Sequence, residues 1–389
     1  MNESVIVSAK RTPIGKFLGS FAETPAADLG AVAARAALDA VGLKDADELI
    51  FGCARQGGNG PNIARQIVRR AGLPDTVPAF TVNKACASGL KAVQLAHQAI
   101  ALGEADVVVA GGTESMTRVP FLLDRARLGF RLGHGEVVDG MYRDGFLCPL
   151  CGQVMGETAE NLAEKYGIGR DEQDKYAADT QNRCEAARLA GRFKAELAPV
   201  TLAGREPRTI DADEHPRDGV TAASLAKLAP VFRKDGTIHA GNSSGITDGA
   251  AALVVMSAAR AKKLGLKPLA RIAGSTSAGV DPKYMGIGPV PAFRRLEERL
   301  GWKLDSYDVV EINEAFAAQV IACDRELRFD WSRTNVNGGA IALGHPIGAT
   351  GARIVVTALH ELARRGGRRA LATLCVSGGL GMAVAFESC

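Results

Sequence analysis

Val82-Asn83-Lys84-Ala85-Cys86-Ala87-Ser88-Gly89 joins a short strand to a helix through a cysteine. Upstream, Pro78-Ala79-Phe80-Thr81-Val82 carries β-branched and aromatic residues bounded by Pro74 and Pro78, which predicts a strand. Downstream, Leu90 to Leu102 has apolar residues at 90, 93, 96 and 100, the spacing of one helix face. A cysteine at such a junction meets backbone N–H groups that lack intrahelical partners, and their partial positive charge favours thiolate over thiol. Small neighbours let a carbonyl approach, and a free N–H can bind the oxygen that turns negative on attack. The stretch therefore reads as a nucleophile, against the plainer alternative of a buried, inert thiol.

The same alternation extends outward. Val5-Ile6-Val7 is expected as a first strand, Ala26 to Val41 as a helix, Leu49 to Gly52 as a buried strand and Asn62 to Ala71 as a helix ending at Gly72. Asp106 to Ala110 is an apolar strand predicted to close on Gly111-Gly112. Strands alternating with helices imply a parallel or mixed sheet covered on both faces.

From Thr113 to about Ala240 charges, glycines and prolines rise and strand signals fade, leaving helices at 156–166 and 170–190. This stretch reads as an insertion that leaves the sheet and returns at Gly241. Ala250 to Met256 is then a core strand, followed by a helix over 258–264. In the last third, Val309 to Ile312 and Thr334 to Gly339 are expected as strands, Gly351 to Arg365 as a helix, and Ala370 to Cys375 as a strand ending in Val376-Ser377-Gly378-Gly379. Residues 79–112 show the same order of parts, which implies an internal duplication. Turns from two such halves can converge on one site.

With 389 residues the chain can bury two or three domain cores. A net charge of +4, with basic residues scattered and no interleaved aromatics, argues against nucleic acid as a partner. No run reaches the roughly 18 apolar residues a membrane span needs. The opening Met1-Asn2-Glu3-Ser4 lacks the basic region of a signal peptide, so a cytoplasmic protein is expected. The eight cysteines are irregularly spaced, unlike a disulfide scaffold. Cys148-Pro149-Leu150-Cys151 lacks a second ligand pair, so it reads as a loop feature rather than a metal site.

Four groups stand at turns: Cys86, Asn313, His345 and Cys375. His345 sits in Gly344-His345-Pro346-Ile347-Gly348-Ala349-Thr350-Gly351, a glycine-dense loop before a helix. A phosphate cradle is the rival reading, but the Gly-Lys-Ser/Thr ending of a P-loop is missing. Cysteine with histidine suggests a nucleophile and its base. A second cysteine at a strand end suits a separate proton transfer.

Four blocks together resemble the thiolase family over essentially the whole chain. They are Asn83 to Gly89; Gly241-Asn242-Ser243-Ser244-Gly245 with Asp248-Gly249-Ala250; Asn313-Glu314-Ala315-Phe316-Ala317; and Gly339 to Gly348, followed by Cys375 to Gly379. The resemblance implies an α/β architecture, the duplicated five-layer αβαβα fold. One half would take residues 1–115, completed by 241–265, and the other 266–389. A loop domain over 116–240 would cover the coenzyme A site. The implied reaction is acetyl-CoA C-acetyltransferase chemistry, condensing two acetyl-CoA to acetoacetyl-CoA or cleaving the product by thiolysis.

In that scheme Cys86 is acylated, His345 is its base, and Cys375 deprotonates the second acyl-CoA. Asn313, through a water, and His345 would form one oxyanion site, and the N–H groups of Cys86 and Ser377 the other. Arg217 and Ser224 would lie near the adenine nucleotide of coenzyme A. Met155, Phe232, Ser244, Ala315 and Phe316 would line the pantetheine channel. The resemblance also implies no metal, no covalently bound cofactor, and a homodimer or homotetramer.

Two departures stand out: Ser377 occupies a usual glycine position, and Val154 a position where short-chain members commonly have histidine. They keep open a longer-chain 3-ketoacyl-CoA thiolase of fatty-acid breakdown. An alternative of another class is a non-catalytic acyl-CoA-binding protein of the same fold.

Overall fold

The computed structural model describes residues 2–389. The amino-terminal half consists of β1 (Ser4–Arg11), α1 (Ala26–Asp39), β2 (Glu48–Gly52), α2 (Ile63–Arg70), β3 (Ala79–Val82), α3 (Ser88–Leu102) and β4 (Val107–Ser115). The inserted stretch contains α4 (Met155–Tyr166) and α5 (Arg170–Leu189), and the chain re-enters the sheet as β5 (Thr247–Ser257). The second half follows with β6 (Ala270–Gly279), α6 (Pro289–Leu300), β7 (Val309–Ile312), α7 (Ala317–Leu327), α8 (Ile347–Arg365), β8 (Arg369–Val376) and β9 (Leu380–Glu387).

The duplication is visible in strand order. The first half runs β3-β2-β4-β5-β1, with β2 parallel to β3 and β4, and β5 antiparallel to β4 and β1. The second runs β7-β8-β9-β6 with the same sense, and a parallel bridge from Val310 to Thr334 takes the place of β3. The halves meet where Val5 and Ile6 pair with Arg271 and Ala270, which makes one hydrogen-bonded path.

Burial then gives the layers. α3 and α8 share a core with the inner faces of both halves, including Ile50, Val108 and Leu253 from one and Leu374, Met382 and Phe386 from the other. The opposite face of the first half packs on α1 and α2, and that of the second on α6 and α7. These are the layers of the duplicated αβαβα fold.

Several elements differ from the sequence reading for identifiable reasons. β4 does not close at Gly111-Gly112 but runs through them to Ser115. These glycines mark close approach, since a Cβ on Gly112 would strike the carbonyl oxygen of Gly348 and one on Gly111 that of Ala251. α8 begins at Ile347 rather than Gly351, so half of the glycine loop is helical. Residues 334–339 are not a strand: Asn335 takes φ +45° and exchanges side-chain hydrogen bonds with the backbone of Ile312 at 2.9 Å each way. The insertion holds three small antiparallel pairs that its sequence did not signal, 121–122 with 138–139, 147–148 with 153–154, and 200–202 with 208–210.

The insertion is tied to the sheet. Buried Arg11 donates to Glu196 at 2.5 Å and to both oxygens of Asp213 at 2.7 and 2.9 Å. Glu314, buried after β7, accepts from Tyr176 and Thr180 on α5 at 2.7 and 2.9 Å. These bonds hold the insertion's helices over the ends of the strands, where the turns of both halves meet.

Candidate active site

Cys86 is presented by a strand–turn–helix built from its own neighbours. Asn83 Oδ1 accepts from the Ala85 N–H at 3.0 Å, and Ser88 Oγ accepts from the Lys84 N–H at 2.8 Å while donating to Ala85 O at 2.7 Å. The turn places Ala85 at φ +45°, a conformation that costs an L-residue on the order of 1–2 kcal/mol. Behind it, Gly89 of α3 leaves no room for a side chain. A Cβ there would lie 2.7 Å from Ala352 N on α8. The two central helices therefore cross in backbone contact directly under the cysteine.

The cysteine opens into a cavity of about 510 Å³ whose wall also includes His345, Cys375 and Ser377. His345 is buried, and its Nδ1 lies 2.6 Å from Thr350 Oγ1. That hydroxyl donates its one hydrogen to Pro346 O at 3.0 Å, so it accepts from His345 and fixes the proton on Nδ1. Nε2 is left as a lone pair with no protein partner. Burial, with the charges of Arg353 and Arg55, pushes the imidazole down to about 3, so the ring is neutral and can accept a proton.

The thiol of Cys86 departs from the sequence reading. Burial raises it above the ordinary cysteine value, and this outweighs the lowering by the N–H groups of Ser377 and of Cys86 itself and by the Arg55 charge. The helix terminus alone does not deliver a thiolate, so the nearby neutral histidine is the group that can take its proton. Cys375 is raised well above the usual value by burial and then by the proximity of Cys86 and Cys323. It packs among Phe316, Ala315 and Met285.

Ser377 is compatible with its turn. Gly378 and Gly379 have φ +86° and +82°, whereas Ser377 is not among the residues with positive φ. A serine side chain is therefore unstrained there. Asn313 is fully buried beside the cavity wall rather than on it, and neither Nδ2 nor Oδ1 has a protein partner.

Of the residues expected along a pantetheine channel, Met155, Phe232, Ser244, Ala315 and Phe316 all line the same cavity. Phe232 and Phe316 meet edge to face at 6.2 Å. Arg217 lines its exposed mouth. Ser224 does not line it. Its Oγ is spent within a short helical cap, donating to Thr221 O at 2.7 Å. Cys148 and Cys151 are free thiols flanking the tip of a hairpin, and among the described residues no group of three or more metal-ligating side chains is gathered.

Three residues of the site escaped the sequence reading. Glu114 is fully buried and accepts from the N–H groups of Ala54, Arg55 and Gly348 at 3.0, 3.0 and 2.7 Å, which pins the start of α8 and hence His345. A carboxylate at the end of the apolar run Val107-Val108-Val109-Ala110 was its signal. Thr350 lay inside the glycine loop, and only the geometry reveals its bond to the ring. Arg55 belongs to no motif the sequence offered, and it lines the cavity.

The models of the thiolase N-terminal and C-terminal domains match residues 4–259 and 266–388. The acetyl-CoA acetyltransferase of Pseudomonas aeruginosa is 53% identical over 388 residues, covering 99% of each chain. That of Escherichia coli K12 is 50% identical over 391 residues, covering 100% of this chain and 99% of the other. Among solved structures, the acetyl-CoA acetyltransferase of Bacillus anthracis superposes with TM-score 0.98 at 45% identity, covering 100% of this chain and 99% of that one. Human mitochondrial 3-ketoacyl-CoA thiolase in complex with CoA does so with TM-score 0.96 at 43% identity, covering 100% and 98%.

Proposed function

This chain belongs to the thiolase family, and we propose that it is an acetyl-CoA C-acetyltransferase working through an acyl-cysteine at Cys86. The supporting observation is the convergence of Cys86, Cys375 and the unpartnered Nε2 of His345 on one cavity. Cys86 Sγ attacks the thioester carbonyl and its proton passes to His345 Nε2. The carbonyl oxygen, negative in the tetrahedral intermediate, is held by the N–H groups of Cys86 and Ser377. When the carbon–sulfur bond to coenzyme A breaks, the imidazolium returns its proton to the departing thiolate.

Acylation prepares the second step. It removes the ionisable Cys86 thiol whose proximity helps hold Cys375 protonated. His345 Nε2, neutral again once coenzyme A has left, takes the Cys375 proton, and the thiolate so formed removes a proton from the methyl carbon of a second acetyl-CoA. The Asn313 amide, free at both ends, can orient a water which, with the Nε2–H of the His345 imidazolium formed by that transfer, donates to the enolate oxygen. The carbanion attacks the acyl carbon and gives acetoacetyl-CoA, and the expelled Cys86 thiolate takes the proton back from the His345 imidazolium. Thiolysis is the same path reversed.

Arg217 at the mouth and the aromatic pair at Phe232 and Phe316 suit the nucleotide and pantetheine of coenzyme A. The eight free thiols suit a reducing, cytoplasmic setting, and no helix among the described residues is long and apolar enough to cross a membrane. A homo-oligomer is part of the proposal. The segment 121–137 exposes Phe121, Leu128, Leu132 and Val137, an apolar run that a second copy would cover.

Mass spectrometry after mixing with acetyl-CoA tests the reading: an acetyl adduct on Cys86, absent from Cys86→Ala, is expected. A wild-type protein that acquires no adduct would sink it.

A further inference from the structure

Arg55 is 7 % exposed and lies on the wall of the cavity that holds Cys86 and His345. Its Nη2 donates to Gly145 O at 2.9 Å, while Nε has no partner. Among the described residues no carboxylate oxygen lies within 4.0 Å of the guanidinium. Glu114 bears on it electrostatically, but its oxygens are already taken by three backbone N–H groups and the Cys53 thiol. A buried cation with an open donor and no directly paired anion is costly unless one joins it. Arginine at such a position suits a carboxylate, which it can grip with two parallel hydrogen bonds.

The placement says which anion. The cavity at Cys86 is walled by two apolar clusters. On one side Phe316, Phe232 and Met155 pack around Cys375. On the other, Ala54, Met116, Met141 and Ile347 pack with Phe146. Arg55 belongs to the second side, being next to Ala54 in the chain and bonded to the residue before Phe146. Pantetheine enters along the first side, so an acyl group bound to Cys86 extends towards the second. The phosphates of coenzyme A stay at the mouth near Arg217, and the thioester oxygen is held at the N–H groups of Cys86 and Ser377. The remaining candidate is the far end of the acyl chain.

We propose that, among acyl groups longer than acetyl, Arg55 selects those that end in a carboxylate, so that monothioesters of dicarboxylic acids and the matching 3-ketoacyl-CoA substrates are taken ahead of alkyl ones of equal length. This rests on the acyl-cysteine reading and narrows its substrate class. The bound carboxylate completes an ion pair inside the cavity, whereas an alkyl chain of equal length leaves the guanidinium buried without a directly paired anion.

Thiolysis of 3-oxoadipyl-CoA and 3-oxohexanoyl-CoA by the full chain compares a carboxylate with a methyl end at equal carbon number. The readout is the ratio of kcat/KM values, measured on one sample, so a partly unfolded variant does not distort it. The wild type is expected to favour the carboxylate at least tenfold. Arg55→Leu should lower the ratio at least a hundredfold, and Arg55→Lys should keep the sign of the preference. Succinyl-CoA should likewise acylate Cys86 of the wild type faster than butyryl-CoA. A ratio at or below one in the wild type, or one that Arg55→Leu leaves unchanged, overturns the proposal and leaves acyl transfer standing. Failure to cleave acetoacetyl-CoA or either longer substrate, with no adduct on Cys86, overturns the acyl-cysteine reading itself.

Discussion

Replacing Thr350 with valine isolates the one hydrogen bond that makes His345 a base. The two side chains have nearly the same shape, so packing around the ring is kept while the acceptor for Nδ1–H, now at 2.6 Å, disappears. The ring then has two options. Keeping its proton on Nδ1 buries an unsatisfied donor, at a cost of roughly 1–3 kcal/mol. Moving the proton to Nε2 relieves that cost and removes the lone pair that faces Cys86. Either way the reactive tautomer is disfavoured by about 1–3 kcal/mol, and at ~1.4 kcal/mol per factor of ten the acylation rate should fall roughly 5- to 150-fold. The assay is single-turnover acetylation of Cys86 by acetyl-CoA, stopped in acid and read by mass. Thr350→Ser restores the acceptor without the methyl group and should recover most of the rate, which a loss of packing alone would not allow. An unchanged rate in Thr350→Val, or equal damage in the valine and serine variants, would refute the tautomer assignment.

Other consequences concern the two thiols and the helix crossing. Because Cys86 is raised above its usual value by burial, its thiolate fraction grows through the whole neutral range. Alkylation of Cys86 by iodoacetamide should therefore accelerate about tenfold per pH unit between 7 and 8.5; a plateau below pH 8 would contradict the raised thiol. Cys375→Ala should still form acetyl-Cys86 with normal stoichiometry yet produce no acetoacetyl-CoA, so the adduct accumulates; synthesis above one-hundredth of wild type would remove Cys375 from the deprotonation. Gly89→Ala places a methyl 2.7 Å from Ala352 N and 3.0 Å from Gly348 O, with no flexible neighbour to yield. A loss of roughly 1–3 kcal/mol in urea unfolding is expected, and stability within error of wild type would show that the helices can separate freely.

What could be read from the sequence depended on whether a residue's meaning is local. The elbow at Cys86 was legible because strand, turn and helix signals lie within about twenty residues, and small side chains after a cysteine have a direct steric sense. The duplication was legible from the order of parts, since each half repeats its strands and helices in the same sequence. Glycines misled where their purpose was long-range. Gly111 and Gly112 read as the end of a strand, yet they let β4 pass beneath Gly348, more than two hundred residues away. The sign of the Cys86 shift was misjudged for the same reason: a helix terminus is visible in the sequence, but the burial that outweighs it is supplied by both halves and the insertion together. Glu114, Thr350 and Arg55 form one further class, polar groups whose role is set by what faces them. Glu114 binds the N–H groups of Ala54 and Arg55 on one side and of Gly348 on the other, so the carboxylate that positions His345 also anchors the backbone carrying Arg55. The nucleophile's base and the charge facing its acyl pocket thus hang from a single buried side chain, and a change at Glu114 must move reactivity and substrate preference together.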